Sequence, residues 1–409
     1  MREMKDSGVE WIGEIPKDWN CMRLKFAFGN SNVGESVDKE LYSSDENGYI
    51  FYTAGANPVK TSYTEFPMWK YTTDNDILLA RNGTPYIYLP SKDAVYSDHI
   101  IRINIKDGYC RRFLRYCLQR SIESIIVDSV SIATWSISLW KEQKLPLPYY
   151  HEQKYLADYL DSKCSKIDEI IEKQQVITKK LKEYKFPIIT EAVTKGINPD
   201  VELKDSTIDM CEQIPVHWGI SQNRYLFSLR DEKNYKPLEE VRLLSLYTDL
   251  GVFPHGEQEE RGNKAVKAEG YKVVYENDIV VNIILAWMGA IGRSAYDGVT
   301  SPAYDIYKPN ENVCSRYYHY LYRTKPFSAE CYKYGRGIMA MRWRTYSSEF
   351  KSIKVPVPPY IEQCQIADYL DSKCEMLDKT IADRNKAIDI LQEYKKSLIY
   401  EVVTGKKEV

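Results

Sequence analysis

The sequence predicts an α+β protein: two mixed α/β domains, each followed by a long helix, with the two helices packed on one another. Three observations predict it. An internal repeat makes two halves of one plan. Proline-rich starts, each followed by helically spaced leucine and isoleucine, give the helices. Short apolar runs punctuated by glycine and proline give the strands of the two domains.

The repeat is close in the helices. Glu152-Gln153 is followed, after three residues, by Ala157-Asp158-Tyr159-Leu160-Asp161-Ser162-Lys163-Cys164. The same pair and the same eight residues return 210 positions later, at Glu362-Gln363 and Ala367 to Cys374. That offset also carries Glu183-Tyr184-Lys185 onto Glu393-Tyr394-Lys395, and Val193-Thr194 onto Val403-Thr404.

Each helix begins after a proline gate, Leu145-Pro146-Leu147-Pro148 or Val355-Pro356-Val357-Pro358-Pro359, because proline restrains itself and its predecessor to extended backbone. Leu160, Ile167, Ile170, Ile177, Leu181, Tyr184 and Ile188 then follow a coiled-coil-like 3–4 alternation. In the second copy Leu370, Leu377, Leu391, Tyr394 and Leu398 lie on the matching seam, with Ile381 and Ile388 one step off it. Leu160, Ile167, Ile170, Leu181, Leu370, Leu377, Leu391 and Tyr394 are the expected packing set. Pro187 is expected to kink or end the first helix near Lys185, leaving a rod about 50 Å long from residue 150.

The domains read as short strands and turns. Ile50 to Thr53, Asp76 to Ala80 and His99 to Ile103 are strand-like, and Asn75-Asp76-Ile77 recurs as Asn277-Asp278-Ile279. A helix over Arg112 to Val127 has its counterpart at Arg316 to Phe327. Ile-Pro-x-x-Trp opens each half, ending at Trp19 and at Trp218, both expected to anchor a domain edge. The expected boundaries are 1–145 for the first domain, 146–196 for gate and helix, 197–205 for a linker, 206–354 for the second domain and 355–409 for the second gate and helix.

Composition narrows the function. The 409 residues carry a net charge of −2, so any nucleic-acid site has to be a local patch. Nine cysteines without Cys-x-x-Cys spacing argue for a reducing compartment rather than a disulfide framework or zinc module. No signal core or membrane-length apolar run is present, giving a soluble cytoplasmic protein. Five scattered histidines show no triad or metal-ligand spacing, and there is no phosphate-cradling Gly-x-x-x-x-Gly-Lys. Val357-Pro358-Pro359-Tyr360 lacks the asparagine of an adenine methyltransferase motif and reads as a helix stop.

What remains is binding. Arg336, Arg342 and Arg344, with Trp343 among them, make a basic-aromatic loop; arginine bridges the major-groove edge of guanine or clamps phosphate. Arg261 with Lys264, and Arg293, are further candidates in that half. Arg81, Asn82, Thr84, Thr134 and Trp135 offer donors and acceptors in the first. A structural adaptor without DNA contact fits the helices equally well, but it has no need of two divergent aromatic and basic domains. A self-contained methyltransferase needs a cofactor site that the sequence does not offer.

The paired Ile-Pro-x-x-Trp starts, Pro-x-Pro-x-x-x-Glu-Gln gates and Ala-Asp-Tyr-Leu-Asp openings resemble the DNA specificity subunit of type I restriction-modification systems, over nearly the whole chain. The resemblance implies two target-recognition domains separated by long helices that pack antiparallel with pseudo-twofold symmetry. Each domain would read half of a bipartite double-stranded site, and the helices would set the gap. It also implies two methyltransferase subunits carrying S-adenosylmethionine and two restriction subunits using ATP and Mg, with no cofactor, metal or catalysis in this chain. Pro187 departs from the family pattern, as do His151 and Ile361, where leucine is common.

Overall fold

The computed structural model describes residues 2–43, 48–128, 134–248, 250–256, 268–337 and 343–409. The chain falls into two units: Met1–Gln175 with Asn385–Val409, and Val176–Arg384. Each unit therefore holds one domain, the start of one long helix and the end of the other.

In the first unit, a hairpin pairs Met4–Asp6 with Glu14–Pro16. An antiparallel sheet then runs Phe28–Val33, Ile100–Ile105, Asp76–Ala80, Ile87–Tyr88. Asp76–Ala80 is buried along its whole length, while Ile100–Ile105 buries its isoleucines and leaves Arg102 and Asn104 partly exposed, as a period of two requires. A second sheet orders Val95–Tyr96, Tyr49–Tyr52, Val59–Thr61 and Tyr42–Ser43. The proline gate is itself a strand: Lys144–Leu147 pairs with Asn20–Arg23 in a two-stranded ribbon, where an edge position tolerates Pro146.

The second unit repeats the plan. Leu203–Ile208 pairs with Cys211–Pro215, so the expected linker ends inside a strand rather than running to residue 205. The main sheet runs Phe227–Arg230, Tyr304–Pro309, Ile279–Asn282, Ile291–Arg293, and the gate strand Lys354–Val357 pairs with Gly219–Gln222. One helix, Arg111–Asp128, follows the first sheet, but its counterpart is broken into Ser315–Tyr322 and Lys325–Tyr334. The break has a local cause. Pro326 sits in the first turn of the later helix, and the Thr324 side chain caps it by accepting from Phe327 N.

The long helices span Tyr150–Lys195 and Tyr360–Val403. The first continues past Pro187 to Lys195, so of the two expected outcomes, a kink or an end, it does not end there. Interior proline costs about 3 kcal/mol. Beyond it, however, Ala192 and Val193 are buried in the second unit's core, with Ile188 and Ile189 against it, and each large apolar side chain buried returns roughly 1.5–3 kcal/mol.

In each unit the two helices run antiparallel, as a coiled coil. In the first, Glu152 reaches Glu408 through Arg2, and Asp168 pairs with Lys395. In the second, Glu362 lies beside Gly196, and Asp378 pairs with Lys185. The buried or half-buried stripe is 160, 164, 167, 171, 174, 178, 181, 185, 188, 192, matched by 370, 374, 377, 381, 384, 388, 391, 395, 398, 402. Its 4–3 alternation is a true heptad seam. Leu160, Ile167, Leu181, Leu370, Leu377 and Leu391 lie on it. Ile170 and Tyr394 do not, being 45% and 52% exposed, whereas Ile381 and Ile388 do. The polar seam residues Gln174, Thr178 and Lys185 conceal the true phase, which is why the most apolar reading of the sequence slips by one residue.

Candidate nucleic-acid interface

The repeated helix motif is a mount for the domain beside it. Arg112 reaches Asp158 and Asp161, each at 2.6 Å, and Tyr116 donates to Asp161 at 2.8 Å. Arg316 reaches Asp368 and Asp371 at 2.7 and 2.8 Å, and Tyr320 donates to Asp371 at 2.6 Å. The i, i+3 spacing of the aspartates puts both on one helix face, opposite an Arg and a Tyr one turn apart. Burial works against either arginine's charge, but the hydrogen bonds and charge of its two aspartates outweigh it and raise both guanidinium pKa values.

The gate glutamines complete the mount. Gln153 accepts from Cys110 N and donates to Pro148 O, both at 2.9 Å. Gln363 does the same with Cys314 N at 2.9 Å and Pro358 O at 2.8 Å. Each glutamine thus satisfies a backbone donor at the start of the domain's own helix, a group that would otherwise be orphaned. Glu152 accepts from Trp19 Nε1 at 3.0 Å, while Glu362 meets His217 at 2.7 Å. Trp19 and Trp218 are both buried core residues.

The first loop cluster lies where the hairpin between Asp76–Ala80 and Ile87–Tyr88 turns. At the start of the strand that leads into it, buried Asp76 pairs with Arg102 at 3.0 Å and accepts from Asn104 at 2.8 Å. At the other end of the strand, Arg81 N donates to His99 O at 2.8 Å and its guanidinium to Asp98 O at 3.1 Å. Asn82 Nδ2 lies 2.7 Å from His99 Nδ1, and Asn82 forms a β-bridge with Thr134. Gly83 takes φ +67°, which turns the chain, and Thr84 follows it, exposed.

Trp135 does not face a ligand. It is 1% exposed, packs on Trp140 with ring centroids 5.6 Å apart, and donates from Nε1 to Gly83 O at 3.2 Å. Its backbone N reaches Arg81 O at 2.6 Å. It anchors the cluster from below, because a large apolar ring is worth more to the core than to solvent. Arg81, half-buried and bonded to the turn, braces the cluster as well.

The second cluster occupies the equivalent end of the other sheet. Thr345 N donates to Ile283 O at 2.8 Å, matching Trp135 with Arg81. Arg336 and Arg344 exchange backbone hydrogen bonds of 2.9 Å each way. Arg336 keeps 79% of its side chain exposed while its Nε meets Glu349 at 2.9 Å. Beside them Trp343 stacks on Tyr332, centroids 4.9 Å apart at 22°, and Trp287 lies 5.9 Å from Tyr332. Gly335 is required by that stack, since a Cβ there would sit 2.5 Å from Trp343 Nε1.

The fold thus brings Asn82, Thr84 and Thr134 together in one unit, and Arg336 with Arg344 in the other. Arg293 stands apart from that pair. It opposes Ile279 at the far end of the strand and is tied to Asn277 at 2.7 Å and Glu276 at 3.3 Å. Arg261, Lys264 and Arg342 lie outside the described residues. Sequence reading missed His99, Tyr332 and Trp287. Only the register Ala80↔Ile100 reveals that His99 faces the Asn82 turn. Among the described residues no group of three or more His, Cys, Asp or Glu is placed to hold a metal, and no helix is long and apolar enough to cross a membrane.

Two polar and aromatic clusters thus stand at the same end of the same kind of sheet, each mounted by the same lock, as a duplicated plan would place them. Residues 16–179 match the family model of the type I restriction modification DNA specificity domain. The chain is 24% identical to the MjaX type I restriction enzyme specificity subunit of Methanocaldococcus jannaschii, covering 97% of this chain and 96% of that one. It is 22% identical to the MjaVIII type I restriction enzyme specificity subunit of the same organism, over 97% and 94%. Among solved structures, a chain from a study of complex assembly in a type I restriction-modification system superposes with TM-score 0.68 at 13% identity, over 96% and 99%. The HsdS subunit from Thermoanaerobacter tengcongensis gives 0.53 at 13% identity, over 96% and 98%. Residues 16–179 thus carry the type I specificity domain, and over nearly its whole length the chain is similar to type I restriction enzyme specificity subunits.

Proposed function

We propose that this chain recognises DNA sequence for a type I restriction-modification complex, with residues 1–145 and 206–354 as target-recognition domains that each read one half of a bipartite double-stranded site. Phosphate contacts position the domains, and a few side chains read base edges: Asn82, Thr84 and Thr134 in the first half, Arg336 and Arg344 in the second. Arg261, Lys264 and Arg342 join the second set, with Arg81 and Arg293 supplying charge behind the readers.

The long helices set the unread gap and dock two methyltransferase subunits. Ile170, Val176, Ile177, Tyr184, Met376 and Tyr394 are all exposed on them, and apolar surface of that kind on an otherwise charged coiled coil suits partner helices. The methyltransferases bring S-adenosylmethionine, and two restriction subunits bring ATP and Mg. The assembly works in the cytoplasm, and this chain contributes no cofactor of its own.

One observation carries the reading: a lock repeated in both halves, Arg112/Tyr116 on Asp158/Asp161 and Arg316/Tyr320 on Asp368/Asp371, presents two loop clusters that share position but not chemistry. A symmetric adaptor has no use for that difference. The test is a methylation map of host DNA with the gene present and deleted. A split methylated motif that disappears on deletion supports the reading. An unchanged map, together with no salt-dependent DNA shift by the chain and its methyltransferase, overturns it.

A further inference from the structure

We propose that Met68 and Trp69 form an apolar wedge that enters the DNA base stack beside the half-site read by the first unit. The proposal rests on the DNA-recognition reading above and adds a contact of a different kind, one that distorts the duplex rather than reading a base edge.

Both side chains stand out from the surface. Met68 is 91% exposed and Trp69 58%, on a short turn, Met68–Lys70, that enters through Pro67. The backbone beneath them is held from every side. Phe66, before the turn, is buried with Phe51 and Val95. Lys70, after it, turns inward: its ammonium donates to the carbonyls of Val33 and Gly34 and pairs with Glu35 at 3.0 Å. Arg102 donates to Trp69 O at 2.8 Å and to Tyr71 O at 3.0 Å, and is itself held by buried Asp76 at 3.0 Å. Taking charges out of water is costly unless they are paired. Here buried Lys70, and half-buried Arg102 held by buried Asp76, fix the backbone of one surface turn, and the turn displays two large apolar side chains to solvent.

The position favours DNA as the occupant. Glu35, which holds Lys70, accepts from Asp98 N through its own carbonyl at 3.1 Å. Asp98 O in turn accepts from the Arg81 guanidinium at 3.1 Å, and His99, the next residue, lies 2.7 Å from Asn82. Through Glu35 the wedge turn is thus linked to Asp98, next to the His99 that holds the polar cluster, while Arg102 and Asp76 hold the turn from further along the same pair of strands. Apolar side chains inserted at a base step unstack and kink a duplex, most cheaply at pyrimidine–purine steps, while neighbouring polar groups read edges. Lys70 Nζ lies 4.3 Å from the Trp69 ring centroid, so the inward-turned ammonium packs against one face of the indole and steadies it.

The test uses the full chain assembled with its methyltransferase, and target duplexes, taken from the methylation map, that carry 2-aminopurine at successive steps. The wild type is expected to raise fluorescence at one step in or beside one half-site. The Met68→Ala/Trp69→Ala variant is expected to lose that signal and to bind the duplex on the order of tenfold more weakly. It should keep the wild-type thermal melt and methyltransferase capture, with Trp69→Phe restoring most of the binding. Equal unstacking and affinity in the double variant would overturn the wedge and leave the recognition reading standing. No binding of the target duplex by the wild-type complex would overturn both. Loss of methyltransferase capture by the double variant in the absence of DNA would overturn the wedge and assign the tip to a protein partner.

Discussion

Lys395 Nζ lies 2.6 Å from Asp168, and the same pair recurs with the roles of the helices exchanged, Lys185 Nζ to Asp378 at 2.7 Å. Both lysines sit on the heptad seam and both aspartates beside it. A charged residue on an apolar seam costs stability but fixes register, and here one device fixes it in each unit.

A double-mutant cycle on Asp168→Ala and Lys395→Ala should give a coupling of about 0.2–1 kcal/mol in urea denaturation, because the carboxylate is half in water. A coupling near zero would show that the pair sets no register. Lys395→Leu is expected to raise the melting temperature, as apolar replacement at such positions does.

The two aspartates of a mount are not equivalent. Asp161 serves both Arg112 and Tyr116, whereas Asp158 serves Arg112 alone and is more exposed. Asp161→Ala should cost roughly 1.5–3 kcal/mol and Asp158→Ala less than about 1. Equal losses in chemical denaturation would refute the lock as described.

Trp135 and Thr134 are neighbours with opposite expectations. Trp135→Ala leaves a hole in a packed core and should cost about 3–5 kcal/mol. Thr134→Ala should leave the melting temperature unchanged while weakening recognition of one half-site. Arg344→Ala should weaken the other half-site, with methyltransferase capture intact in both cases. Symmetric loss of both half-site preferences in either variant would separate these loops from base reading.

His319 Nδ1 accepts from Arg293 N at 3.1 Å. Burial, then the charges of Arg323 and Arg293, hold its pKa down to about 3. An unfolded chain protonates histidine near pH 6.5. Below that pH the unfolded state binds a proton that the folded state refuses, so stability falls as pH drops from about 6.5 toward 3 and is unaffected by this group above that range. The melting temperature of the wild type relative to His319→Gln should therefore decline between pH 6.5 and 4. A pH-independent difference would mean that His319 is not held neutral.

In the proposed reading the helices act as a ruler, and a ruler can be lengthened. Inserting one heptad at the same level of both helices keeps the seam in phase and adds about 10 Å, on the order of three base pairs. The methylated motif should keep both half-sequences and change only its gap. An unchanged gap would refute the ruler.

The sequence by itself determined the duplication, the two long helices and the α+β class. An eight-residue identity and proline gates are local signals that need no partner to be read. It also pointed to Arg336 and Arg344, and to Asn82 and Thr134, because loop composition marks exposed polar ground. Tertiary structure alone decided what these residues touch. Trp135 and Asn82 look alike as loop residues, yet a neighbouring aromatic, Trp140, draws one into the core while a strand register sets the other against His99. Ile170 and Ile171 differ by 100° around the helix, and only the facing helix selects the second. Pro187 forbids a helix locally, and Ala192 and Val193, buried in a core assembled from distant segments, carry the helix past it. Burial is a property of what the rest of the chain brings to a residue, and no local pattern records that.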